Sequence, residues 1–295
     1  MIARVKPKTL ITTPLLPNSN FIDYSAISNF SAPSVYSNFS IKYVVSGTEM
    51  YSANGNKYFV GSKEYLVANR FCEGYVEIES KKPVVGICIE LSPATLSEVV
   101  ATHLQPNSSV PDIELDRFFN TDNFLENKYA AGNTRLGKLL LELDTLIANQ
   151  PVKNIQFGND FYFSLAESIV EDHISVFKNL QRVKAVKNST KKDLLRKLLC
   201  GKNYIEQNIC SPVTIEQIAK ESGLAEYHFF RLFKATFGIS PHQYLIQQRL
   251  QYAKKMLQQQ KGSISALAIE TGFGDVHAFS KSFKKYFGVS PSLIH

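Results

Sequence analysis

The sequence predicts a two-domain α+β protein, a small β-barrel or jelly roll with flanking helices followed by an all-α domain. Three observations carry that prediction. Short β-branched and aromatic runs follow one another at roughly ten-residue spacing from Phe39 to Leu91. A helix, turn and helix pattern then recurs at an offset of 49 to 50 residues in the last third of the chain. Charge is also unevenly placed: Lys184 to His295 holds 17 Lys/Arg against 7 Asp/Glu, whereas the preceding residues hold 16 against 19. A length of 295 residues suits two domains at ~150 residues each. We place them at residues 1–183 and 184–295, with the barrel at about 20–92 and its helices at about 93–180.

In the front domain, Ile41-Lys42-Tyr43-Val44-Val45 reads as a strand. Met50–Ala53 and Lys57–Val60 flank Asn54-Gly55-Asn56, and Asn-Gly is a strong hairpin signal because a type I′ turn needs positive φ at both central positions. Glu64–Ala68, Tyr75–Glu79 and Val84–Leu91 are further strands; Val76 and Ile78 alternate with Tyr75, Glu77 and Glu79. Ser92-Pro93 ends the strands, and Ala94–Leu104 reads as a helix. Residues 105–133 carry no clear pattern.

Thr134–Asn149 is an amphipathic helix, with Leu136, Leu139, Leu140, Leu143, Leu146 and Ile147 on one stripe. A second helix runs from about Asp160 to Leu180, with Phe161, Leu165, Ile169, Val176 and Leu180 near one face. Two roles stay open for this pair: covering the barrel's core, or meeting the same helices of a second copy. Gln181–Lys192 is polar and basic, as a linker would be.

The back domain is an internal repeat. Ile218-Ala219-Lys220-Glu221-Ser222-Gly223 corresponds to Leu267-Ala268-Ile269-Glu270-Thr271-Gly272, and Phe229 through Lys234 to Phe279 through Lys284. Phe237-Gly238-Ile239-Ser240-Pro241 then matches Phe287-Gly288-Val289-Ser290-Pro291. Each copy reads as two helices joined by a glycine turn, with Thr214 and Ser263 at the N-caps and Gly238 and Gly288 at the ends. His242–Gln258 is one long helix between them.

A helix-turn-helix lays its second helix in the major groove. Phe229 and Phe233 face inward, which leaves Glu226, Tyr227, Phe230, Arg231 and Lys234 outside; the second copy offers Val276, His277, Ser280, Lys281 and Lys284. Arg231 and Lys281 share one repeat position and can donate to guanine O6 and N7. Lys234, Lys284 and Lys285 lie further along, where phosphates are met.

Residues from about Lys191 to Ile294 resemble the DNA-binding domain of the AraC/XylS family of transcription regulators. The likeness rests on Ile215–Ala219, Phe229–Lys234 and Gly238–Pro241, then on Arg249–Leu257, Gly272-Phe273, Phe279 and Phe283–Pro291. The resemblance implies a seven-helix domain with two helix-turn-helix units, and base contacts from Tyr227, Phe230 and Arg231 and from Val276, His277, Ser280 and Lys281. Lys281 stands where the family usually has Arg, and the usual Tyr-Arg after the last proline is absent, so a short final helix is expected. The resemblance also implies a cupin-like front barrel followed by dimerising helices. Expected partners are double-stranded DNA, a second copy of the chain, RNA polymerase and a small-molecule effector.

Other classes find little support. Cys72, Cys88, Cys200 and Cys210 have neither zinc-site nor disulfide-framework spacing, and the basic Met1–Lys8 leads into no signal-peptide core. No apolar stretch approaches the ~18 residues of a membrane span, so a cytoplasmic protein is expected. The six histidines begin at His103, so a histidine-held metal in the barrel is not expected; His173 beside Glu171-Asp172 is a core residue before it is a ligand. No phosphate-binding loop or nucleophile elbow occurs, and no catalytic residue or cofactor is expected. Tyr43, Tyr51, Tyr58 and Arg70, with Phe59 and Phe71, are candidates to line a ligand cavity; a packed aromatic core and an outward Arg70 are the alternatives.

Overall fold

Asn54 and Gly55 reverse the chain with φ of 50° and 81°, the two positive angles that a type I′ turn demands. They join β3 (Thr48–Ala53) to β4 (Asn56–Gly61) inside an antiparallel barrel completed by β1 (Phe21–Val35), β2 (Phe39–Ser46), β5 (Glu64–Ala68), β6 (Glu73–Leu91) and β7 (Asn127–Ala130). The computed structural model describes residues 19–36, 38–103, 112–149, 157–185, 187–260 and 262–294. The chain divides into two units, Met1–Lys178 and Asn179–His295.

In the first unit β6 organises the sheet. β1 pairs along one edge of it, while β2 and β3 pair with successive stretches of the other edge. β2 continues to β5, and β5 to β7. Tyr75–Glu79 and Val84–Leu91, expected as separate strands, are therefore one, because β1 bridges both across a register shift between Ile27 and Asn29. Val44, Tyr51, Val60, Leu66, Ile78 and Val84 close into a core drawn from five strands.

Helices α1 (Pro93–His103) and α2 (Asp112–Asn120) follow; Leu104, expected to end α1, lies outside the described residues. Phe118, Phe119 and Phe124 gather around Phe39, with Phe39 and Phe124 centroids 4.9 Å apart. α3 (Arg135–Asn149) starts where Asp172, on α4 (Asn159–Arg182), accepts from the Arg135 and Leu136 amides at 3.1 and 2.9 Å. This carboxylate satisfies N–H groups that have no partner within the helix. The leucine stripe of α3 splits. Leu136, Leu140 and Leu143 are buried in their own unit, which removes them from the expected dimer surface; Leu139 and Ile147 are half-buried and Leu146 is exposed.

In the second unit the repeat becomes two matched cores. After α5 (Asn188–Gln207) come α6 (Ile215–Glu221) and α7 (Glu226–Phe237), then α8 (Pro241–Gln258), then α9 (Ile264–Glu270) and α10 (Val276–Phe287). Leu198, Ile205, Ile218, Phe229, Phe233 and Leu245 form the first core; Leu250, Ala253, Leu257, Leu267, Phe279 and Phe283 form the second. α8 supplies residues to both cores, and its 18 residues span about 27 Å. Among the described residues the domain has six α-helices and ends in a 3-10 turn, Pro291–Leu293, in place of a full seventh helix.

Candidate nucleic-acid interface

The two turns are built alike. Thr214 and Gln217 form a reciprocal capping box at α6, and Ser263 accepts from the Ala266 amide at α9. Gly223 (φ 63°) and Gly272 (φ 70°) take the left-handed conformation that ends each first helix. The following amides, Leu224 and Phe273, return to the carbonyls of Ala219 and Ala268, both at 3.0 Å. The inserted residue lies just beyond; Ala225, at the N-cap of α7, offers no side-chain cap, whereas Asp275 caps α10 by accepting from the Ala278 amide at 2.7 Å.

Both second helices are 12 residues long and end on left-handed glycines, Gly238 and Gly288. Phe229 and Phe233 lie tilted against each other at 5.4 Å between centroids, and Phe279 and Phe283 at 5.6 Å. These buried pairs, with Leu232 beside the first, fix the rotation of each helix, so its opposite face is turned outward. Tyr227 is 78% exposed, and Phe230, Arg231, Lys234, Val276, His277, Lys281, Lys284 and Lys285 are all exposed; Ser280 is half-buried. Among the described residues none of these five cations has a carboxylate partner. Five unneutralised cations on two equivalent faces provide donors suited to phosphates and base edges.

The barrel holds a second feature, a cavity of about 230 Å³ lined by polar Asp23, Lys42, Glu49, Tyr51 and Cys88 and by apolar residues including Ile27 and Ile78. Lys42 Nζ donates to Glu90 Oε1 at 3.0 Å and to Cys88 Sγ at 2.8 Å. Burial opposes the Lys42 charge, but Cys88 and Glu90 against it hold the ammonium above its ordinary value. Burial pushes the Cys88 thiol up to about 12 and raises the carboxyls of Asp23 and Glu49.

Of the expected lining residues, Tyr51 alone lines this cavity. Tyr43 is buried on the other face of β2, where neighbours alternate, and its hydroxyl donates to Asp144 at 3.3 Å. Tyr58 donates to the Glu126 carbonyl. Arg70 is exposed with its guanidinium over Phe71, so it is no cavity residue. The cavity's cation is Lys42. Its sequence signal was an isolated charge inside an apolar strand, matched by Glu90 inside another.

A helix-turn-helix domain family matches residues 218–294. AarP, an HTH-type transcriptional activator of Providencia stuartii, is 32% identical over 90 residues, covering 30% of this chain and 67% of AarP. The chain belongs to the AraC family. The probable transcriptional regulator LumQ of Photobacterium leiognathi is 34% identical over 90 residues, 30% of this chain and 36% of LumQ. The Msm operon regulatory protein of Streptococcus mutans is 28% identical over 173 residues, 57% of this chain and 59% of that one. The aligned part thus spans between about a third and three fifths of these two relatives. A solved AraC-type regulator from Chromobacterium violaceum is 31% identical over 33% of this chain and 88% of its own, with a TM-score of 0.32.

In this AraC-family domain one buttress was not read from the sequence. Arg249 is buried on α8, and its Nε and Nη2 donate to the Ile209 and Ser211 carbonyls, both at 2.9 Å. The same guanidinium fills the space beside Gly272, where a Cβ would lie 2.9 Å from Nη1. Arg249 thus ties the segment leading into the first helix-turn-helix to the turn of the second. In the sequence it heads the Arg249–Leu257 stretch, but nothing there shows this role, since its partners are backbone carbonyls.

Proposed function

We propose that the protein is a sequence-specific DNA-binding transcription regulator whose two helix-turn-helix units read adjacent major-groove segments on one face of a duplex. The equivalence of α7 and α10, with cations free at matching positions, carries this reading. Tyr227, Phe230, Arg231, Val276, His277, Ser280 and Lys281 are assigned to base edges and Lys234, Lys284 and Lys285 to phosphates. α8 sets the spacing of the two units near one helical turn, ~34 Å. The front barrel is assigned an effector role, supported by its polar cavity, and dimerisation is assigned to the part of α3 not consumed by the core, Leu139, Leu146 and Ile147. RNA polymerase is the partner through which such a regulator acts. Among the described residues no helix is long and apolar enough to cross a membrane, and the cytoplasm is the compartment assigned.

Gel shifts of the full chain on its selected site, against the Arg231→Ala/Lys281→Ala double variant, test the reading. Loss of discrimination between that site and scrambled DNA is expected. Unchanged discrimination would remove both residues from base readout.

A further inference from the structure

The barrel cavity carries more acid than base. Lys42 is the cation of its lining; Glu90 pairs with it at 3.0 Å from the neighbouring strand, and the same charge also acts on Asp23 and Glu49. Two carboxylates remain on the lining, Asp23 from β1 and Glu49 from β3. Register places Asp23 opposite Cys88, and Cys88 opposite Lys42, so the three form one rung across β1, β6 and β2. Asp23 Oδ1 is shut off from solvent and has no hydrogen-bond partner. Glu49 is 4% exposed and takes the Tyr51 hydroxyl. Gly86 leaves room for it, since a Cβ there would lie 2.6 Å from Glu49 Oε1. Ile27, Phe30, Val76, Ile78 and Ile87 supply an apolar wall.

Carboxylates removed from water without a counter-charge are costly. A carboxylate ligand would add another negative charge facing Asp23, and a neutral one would leave the excess of acid over the single Lys42 in place. Among the described residues no three His, Cys, Asp or Glu side chains converge as a metal site. At about 230 Å³ the cavity is smaller than the ~300–1,000 Å³ of drug-sized ligand sites, so the ligand is short.

We propose that this cavity binds a small organic cation of the alkylamine class, its ammonium received by Asp23 and Glu49 and its alkyl chain lying along Ile27, Val76 and Ile78. The proposal rests on the reading of the barrel as an effector domain, and gives that effector a charge.

Calorimetric titration of the full chain with pentylamine, pentanol and pentanoate, three probes of matched length, tests it. Pentylamine should bind at least tenfold more tightly than the other two, and Asp23→Asn or Glu49→Gln should remove that preference. The comparison among ligands on the unaltered protein stands even where a variant folds poorly. Preference for pentanoate, lost in Lys42→Met, would overturn the amine assignment and keep the effector reading. Equal binding of pentanol would do the same, whereas no binding of any of the three would remove both.

Discussion

Arg231 and Lys281 stand at the same place in two copies of one helix, yet they differ in what they can read. A guanidinium grips guanine O6 and N7 with two fixed donors, while an ammonium is a rotatable point charge. Arg231→Ala should therefore cost ~1–3 kcal/mol at a few base positions. Lys284→Ala should weaken all sequences about equally and flatten the salt slope by about one unit; quantitative gel shifts across a salt series separate the two outcomes. A sequence-selective loss in Lys284→Ala would contradict its phosphate role. His173 shows the opposite use of a titratable group. It lies against Phe119, Phe124 and Tyr129, with Nδ1 2.8 Å from the Ile169 carbonyl. Burial lowers its pKa below 6.5, against the pull of Ile169 and Asp172. The unfolded chain thus takes up a proton that the folded one refuses. Stability is full above pH 6.5 and falls as pH drops from there toward the folded pKa, by up to about 1.4 kcal/mol per unit. Denaturant unfolding between pH 7 and pH 5 should show this slope reduced in His173→Phe; parallel slopes would clear His173 of the effect.

At the scale of elements, the two glycine turns allow an internal comparison. Gly223 and Gly272 share the left-handed conformation, which costs a side-chain-bearing residue roughly 1–2 kcal/mol. A Cβ at Gly223 meets open space, whereas one at Gly272 meets Arg249. Gly272→Ala should consequently destabilise more than Gly223→Ala in chemical denaturation, and equal losses would mean that Arg249 yields without cost. The helical repeat was legible because its signals are local: phenylalanines four apart, a glycine at each turn, a hydroxyl at each cap. The barrel was legible only in part. β2 to β5 announced themselves through β-branched runs and an Asn-Gly turn, whereas β1 carries four Ser and a Pro and is held by pairing with β6. β7 has four residues and owes its existence to β5, where Tyr129 stacks on Tyr65 at 5.5 Å. Leu136, Leu140 and Leu143 looked the same from periodicity as Leu139, Leu146 and Ile147, because a stripe records amphipathicity and not which partner covers it. Lys42 escaped notice since a lone inward charge becomes meaningful only beside Glu90 and Asp23, which strand register brings together.

For the whole molecule, charge is unevenly divided along the chain. The basic residues gather in the part of the chain that holds α5 to α10, and the front half carries a slight excess of acid. Binding to DNA should therefore weaken steeply with salt, since each phosphate contact releases condensed counterions. The proposed function requires that the two units read one duplex at a fixed separation, with α8 holding them there. Selection of bound DNA from a random pool by the full chain tests this most directly. Two conserved blocks with centres about 10 to 10.5 base pairs apart are predicted. Recovery of a single block, or of two blocks at variable spacing, would contradict it.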